Sequence, residues 1–469
     1  MPEPSVWIPL RWPAGWRDPG FLKLLQNTLL NCLIIDWNPS EERAAFLPLI
    51  HEARRRGLDV IGLMDTMDAM AEAVAMARIA GLATLLVPAP VTPIDFPVIP
   101  FTDRSRVRSS DSGSILAIRG NVWPGIRGKV LSGGNSVEAG PTGIPWVDAN
   151  GWFVRIARAL SPDKIIWIFA DPPAKEGTFT ADSYLCAIAD AAAAGGRWVI
   201  SLGAQFANNL AAGNPHFLQA WKRLMGALSF FENHKQWRNQ YKEIGRLAVL
   251  SDFSGANEFL SIEVVNLLSR RHLPFRILDK TNPLNASFQF RDLQAILYPD
   301  EEPPQPAVRR TLTTWIESGG VLICPVWIKG LGLEQQLSGQ RYARFQVYSL
   351  GKGRVAVARE QETDPYVIAA DTHTIFGRAH DLLRAWNAGT INSLCLTSFK
   401  GRSCLIQLVN YYNQTAKDVC LQVCDLYRSA RLWLLEQTRP VPLRLSIGRG
   451  TTEIQLPPLP AYAAVELEK

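Results

Sequence analysis

The sequence predicts an α/β fold: a (β/α)8 TIM-like barrel, then a compact parallel α/β domain, then a small antiparallel β-sandwich. Three observations carry this. Eight short segments before residue 204 are apolar throughout, as strands buried on both faces of a parallel sheet are, and helix-like segments separate most of them. The same alternation starts afresh at residue 245 and runs to 358. After residue 392 it gives way to short strands of alternating polarity, divided by closely spaced turn residues. At 469 residues the chain is too long for one core, and about two to four domains are expected.

The barrel elements follow in order. SVWIPLRW (5–12) reads as the first strand and DPGFLKLLQNTLL (18–30) as a helix. CLIIDW (32–37) is the second strand; PSEERAAFLPLIHEARRRG (39–57) is a helix with a Ser-x-Glu start and a Gly stop. DVIGLMD (59–65) is the third strand, followed by the Ala-rich helix 67–81. LATLLVPA (82–89) and FPVIPFTD (96–103) are the fourth and fifth strands, with little room for a helix between them. SILAIRG (114–120) is the sixth, and 146–161 holds a helix. KIIWIFAD (164–171) is the seventh, followed by the helix 180–196, and RWVISLG (197–203) is the eighth, followed by a long helix over 216–237. Eight such units suggest a closed barrel over 1–243. An open doubly wound sheet is the competing topology.

The second domain, 244–360, runs from the strand GRLAVLSD (245–252) through the helix 257–271 and PFRILD (274–279) to LQAILYPD (293–300). The helix AVRRTLTTWIESGG (307–320), the strand VLICPV (321–326) and the closing strand GKGRVAVA (351–358) complete it. Residues 361–392 read as a helical connector and 393–469 as the sandwich.

Composition narrows the function. Hydrophobic content is 47%, charged content 20% and net charge +6, with Lys and Arg scattered, so a nucleic-acid partner is not indicated. Seven Cys form no CxxC pair and six His form no HxH or HExxH, so no metal site is expected, and the thiols read as buried and reduced in a cytoplasmic protein. MPEPSVWIPLRW is not a secretory signal, and no stretch is long and apolar enough to span a membrane. Fifteen Trp are present, seven of them before residue 153. Trp lines sugar sites by stacking on pyranose faces; it also packs cores.

The order of parts, with LQAILYPDEEPPQPAVRRTLTTWIESGGVLICP and the tail SCLIQLVNY…TTEIQLPPLPAYAAVELE, resembles the β-galactosidase family of glycoside hydrolases. That resemblance implies a catalytic barrel, a flavodoxin/amidotransferase-like middle domain called the trimerisation domain, a C-terminal β-sandwich, a carbohydrate ligand, no cofactor and a homo-oligomer. It also implies an acid/base Glu after strand four and a nucleophilic Glu after strand seven. Here strand four ends in LLVPAPVTP, with Asp95 the nearest carboxylate, and strand seven ends at Asp171. Cys324 lacks the flanking glycines of a nucleophile elbow, so the middle domain is expected to be noncatalytic. The turn SDFSGANEF (251–259) is a weak candidate for anion binding.

In a barrel, chemistry sits at the C-terminal ends of the strands. Asp36, Asp65, Asp103 and Asp171 fall there. Glycoside hydrolysis needs two carboxyls, one protonated and one ionised, so Asp171 with Asp36 or Asp65 is the expected catalytic set. Each Asp has a structural alternative as a helix cap or turn starter. Asp171 precedes Pro172-Pro173 and the next helix starts only near 181, so it is not an N-cap. Trp37, beside Asp36, and the loop residues Asn121, Trp123, Arg127, Asp148, Asn150 and Trp152 are the expected substrate-binding residues, since aromatic faces with amide and guanidinium donors suit a polyol. Glu138 on the same loop is a candidate displaced acid. The leading expectation is a protein that hydrolyses or binds a carbohydrate at the barrel rim; the alternative is a catalytically silent relative with a binding or structural role.

Overall fold

A computed structural model describes residues 6–37, 42–91, 94–104, 107, 113–126, 146–172, 180–281, 290–326 and 337–469. They fall into two compact units, the first ending at Lys235 and the second running from Gln236 to Lys469.

In the first unit, eight parallel strands follow one another in sequence order: Pro9–Arg11, Cys32–Asp36, Asp59–Leu63, Thr84–Pro88, Val98–Asp103, Ile115–Arg119, Ile165–Ile168, and a last strand made of two pieces, Arg197–Trp198 and Ile200–Ser201. The two pieces do different work. Trp198 pairs with Ile168 of the seventh strand, and Ile200 pairs with Leu10 of the first. Between them the Val199 N–H donates to the Ile168 carbonyl at 3.0 Å. The sheet therefore closes on itself as a barrel and is not open.

The sequence sets where each strand stops being core. In Cys32–Asp36 and Ile115–Arg119 four residues are buried and the fifth, Asp36 or Arg119, emerges. Apolar residues on both faces hold the strand between barrel interior and helix layer, and the first charged residue marks the rim. Helices Glu42–Arg55, Met70–Ala80, Gly151–Leu160, Ala181–Ala193, Ala204–Ala211 and Pro215–Asn233 belong to this unit. As expected, no helix lies among the described residues between the fourth and fifth strands. The segment read as a helix over 18–30 is a shorter 3-10 helix, Pro19–Leu25. Asp18 caps it by accepting from the Gly20 N–H, and it ends where Gln26 turns extended.

The second unit opens with an α/β sheet. Its parallel strands lie in the order Phe275–Asp279, Leu247–Ser251, Ala295–Leu297, Val321–Cys324, Gly353–Ala358, the 2-1-3-4-5 arrangement of flavodoxin-like folds. An antiparallel pair, Phe345–Leu350 and Leu337–Arg341, extends it beyond the last parallel strand. The connector is helical only over Pro365–Phe376 and the 3-10 turn Arg378–His380. Gly377, at φ 84°, stops the helix, and Leu383–Trp386 is a strand, which corrects the reading of 361–392 as helical throughout.

The sandwich packs a six-stranded sheet (Tyr241–Glu243, Ile391–Ser398, Ser403–Asn410, Tyr462–Glu468, Ser429–Leu434, Val441–Leu443) on a four-stranded one (Leu383–Trp386, Cys420–Val423, Thr452–Gln455, Ser446–Ile447). Ile391, Ile406, Leu421, Leu432, Ile454 and Val465 fill the space between them. Tyr241–Glu243, expected at the end of the barrel domain, pairs with Ile391–Ser398 and so belongs to the sandwich.

Candidate functional site at the barrel rim

A cavity of about 270 Å³ opens at the C-terminal ends of the barrel strands. Phe101, Phe169, Leu63 and Leu86 give it an apolar floor; Arg11, Asp103, Arg119, Asn121 and Asp171 give it a polar wall. Each polar residue stands where its strand or the turn after it leaves the core, so the barrel itself sets their convergence.

The charges are linked in pairs. Arg11, ending the first strand, donates to Asp171 after the seventh and, at 3.4 Å, to Asp36 at the end of the second. Arg119, ending the sixth strand, donates to Asp65 after the third, and its guanidinium lies 5.3 Å from the Phe101 ring. Asp103 also faces the cavity, and among the described residues it has no ion pair. Asn121 spans the sixth and seventh strands, its amide donating to the carbonyls of Ile118 (2.7 Å) and Phe169 (3.1 Å) while its oxygen accepts from Arg104.

Of the residues singled out from sequence, Asp103, Asp171 and Asn121 line this cavity. Asp36 and Asp65 stand at the rim but reach it through the arginines they bind, not as part of its lining. Trp37 is fully buried; its indole donates to the Ala73 carbonyl at 3.1 Å and lies against Gly62, so it is core and not rim. Trp152 is buried too, under the Arg104 guanidinium. Trp123 is half-buried, with its ring edge-on to Tyr184 and Trp198 at 5.2 and 5.3 Å. Asn150 is completely buried and pins the loop: its side chain bonds both the N–H and the carbonyl of Val122, and its own N–H donates to Asp190. Asp148 sits in a two-residue strand pair with Gly125. Arg127 and Glu138 lie outside the described residues.

Arg11, Arg119, Phe101 and Phe169 escaped the sequence reading. PLRW and AIRG carry the same signal as CLIIDW, an apolar run that ends on a charge.

A second charged cluster lies in the other unit, where three strands of the α/β sheet end. Lys280 Nζ sits 2.9 Å from Asp252 and 2.8 Å from Asp300, and Ser251 donates to Asp300 at 2.7 Å. Asp300 is completely buried, and burial pushes its carboxyl above the usual range despite Lys280. The turn considered for anion binding is already occupied: Asp252 accepts from the Ser254 N–H at 3.1 Å. Cys324 is buried and its thiol is pushed up by burial, away from nucleophilic use. Among the described residues no three His, Cys, Asp or Glu side chains gather to hold a metal, and no helix is long and apolar enough to cross a membrane.

No family model matches the sequence, and no curated protein matches it either. Solved structures do. An α-L-fucosidase isoenzyme 2 from Paenibacillus thiaminolyticus superposes with a TM-score of 0.56 at 10% identity, over 98% of this chain and 99% of that one. The fold is that of a glycoside hydrolase. A β-galactosidase from Bacillus circulans sp. alkalophilus is also similar, at TM-score 0.44 and 9% identity, over 91% of this chain and 67% of that one. So is a rhamnosidase from Novosphingobium sp. PP1Y, at 0.43 and 12%, over 91% and 39%. The likeness to the fucosidase carries the fold expected from the order of the parts, at an identity that speaks to fold alone.

Proposed function

We propose that the rim cavity binds a neutral sugar and that Asp103 and Asp171 hydrolyse its glycosidic bond. One observation carries the reading: carboxylates from the fifth and seventh strands line a single cavity above an aromatic floor. Asp171, held by Arg11, takes the anionic part, as base to a water or as nucleophile. Asp103, with no arginine on it among the described residues, takes the part of proton donor. Among the described residues four rim carboxylates stand against the guanidiniums of Arg11, Arg119 and Arg104, so the local charge disfavours an acidic sugar.

The test is turnover of a panel of aryl glycosides. Asp171→Asn and Asp103→Asn should each lower turnover by a factor on the order of 10² or more while sugar binding persists. A second reading, a silent sugar-binding relative, is favoured by the fourth strand, which ends at Pro88 and brings no carboxylate to the cavity. Sugar binding with no turnover on any aryl glycoside selects that reading.

A further inference from the structure

The four-stranded sheet of the sandwich has one face in the core and one in solvent. Side chains alternate along each strand. Leu383, Leu421, Val423, Thr452 and Ile454 point inward and are buried. Arg384, Trp386, Cys420, Gln422, Glu453 and Gln455 stand on the other face.

Register sorts these six into two rows. Arg384 pairs with Gln422 and Gln422 with Glu453; Trp386 pairs with Cys420 and Cys420 with Gln455. Neighbouring strands lie about 4.8 Å apart and same-face residues about 6.8 Å apart, so the rows form a flat platform about 10 Å long. At one end an indole 46% exposed lies open at the sheet edge.

The polar row is held in place. Arg384 donates to Asp381 (3.3 Å), to the Arg378 carbonyl (2.6 Å) and to Gln422 (3.4 Å), and Gln422 donates to Glu453 (2.7 Å). A guanidinium has five N–H groups, so at least two remain free to donate; one Gln422 N–H and one Glu453 oxygen also remain. These groups are oriented before any ligand arrives, which lowers the entropy cost of binding. The Arg384 charge is met by Asp381, while Glu453 accepts from Gln422.

We propose that this face is a second carbohydrate-binding surface, which takes a neutral glycan chain with one pyranose stacked on Trp386 and its hydroxyls on Arg384, Gln422 and Glu453. An indole face suits the C–H side of a sugar ring, and the row of oriented donors and acceptors suits its hydroxyls. The centre of a protein–protein contact would instead be depleted of charge, whereas the row beside this indole carries a guanidinium and a carboxylate. The inference does not rest on the rim reading, since no residue of the rim takes part.

The experiment is affinity electrophoresis of the full chain in native gels that contain soluble galactan, mixed-linkage β-glucan, arabinoxylan or galactomannan, each against a gel without glycan. At least one glycan should retard the wild type. Trp386→Ala should bind it at least about tenfold more weakly, as loss of an aromatic anchor does, and Trp386→Tyr should recover part of the retardation. Asp171→Asn should migrate like wild type, and Trp386→Ala should leave any aryl glycoside turnover unchanged, so failure at the rim and failure here are separable. Equal retardation of Trp386→Ala and wild type overturns the proposal, as does no retardation in any gel. A Trp386→Ala protein that changes only its mass by light scattering makes the face a contact between copies and also overturns it.

Discussion

Arg11 donates to Asp171, tying the end of the first barrel strand to the residue just past the end of the seventh. Their side chains are 24% and 61% exposed, so the pair contributes at most about 1 kcal/mol to stability. Arg11→Met should therefore keep Tm within about 4 °C while it weakens sugar binding at the rim, as followed by calorimetric titration. A large fall in Tm with unchanged affinity would make Arg11 a clamp only.

His272 gives the second unit a pH dependence. Burial pushes its imidazole down to about 4 from 6.5, and Arg270 beside it adds to the shift. The folded chain keeps it neutral, with Nδ1 at Ser393 and Nε2 at the Ala388 carbonyl, where the unfolded chain would take up a proton. The unfolded state therefore binds more protons between pH 6.5 and about 4, and stability falls as pH drops through that window, by up to about 3 kcal/mol. Urea denaturation at pH 7 and pH 5 measures this. His272→Asn, which tolerates the φ of 54° at this position, should flatten the difference.

Lys280 holds two carboxylates in one buried place. Lys280→Met should destabilise the second unit by about 3–5 kcal/mol, because Asp300 and Asp252 would then face each other without a cation. Adding Asp300→Asn should recover part of the loss. Denaturant midpoints of the single and double variants decide; additive losses would show that the three groups do not act together.

Two glycines should respond in opposite directions. A Cβ on Gly353 would meet the Ile316 carbonyl oxygen at 1.9 Å and that of Gly320 at 2.4 Å, both backbone, so Gly353→Ala should cost at least about 2 kcal/mol. Gly226, inside helix Pro215–Asn233, has nothing within 4 Å, so Gly226→Ala should stabilise by up to about 1 kcal/mol. Thermal melts of the two variants test the pair.

Strand interiors were legible because burial on both faces leaves no room for polar residues, as in Leu33–Ile35, each completely buried. The rim acids were legible because a strand that ends on a charge must end at water. The rim arginines carried the same signal and were passed over. Trp37 and Trp152 were misplaced because a large indole near a rim can turn either way, and burying its area favours the core. Residues 383–386 were misread as helix because their strand character comes from pairing with Cys420–Val423, a contact local periodicity cannot register.

The two-piece eighth strand has a consequence for how the chain is made. Arg197 in its lower piece donates to the Trp7 carbonyl, 190 residues earlier, and Ile200 and Ser201 pair with that side of the first strand. During synthesis at about 5–20 residues per second, the first strand waits about 10–40 s with that side open. An unpaired strand edge is an invitation to a neighbouring nascent chain. Pro9 offers no N–H to such an intruder and Arg11 puts a charge beside it, so the residues that later brace the rim also guard a half-made barrel on the ribosome.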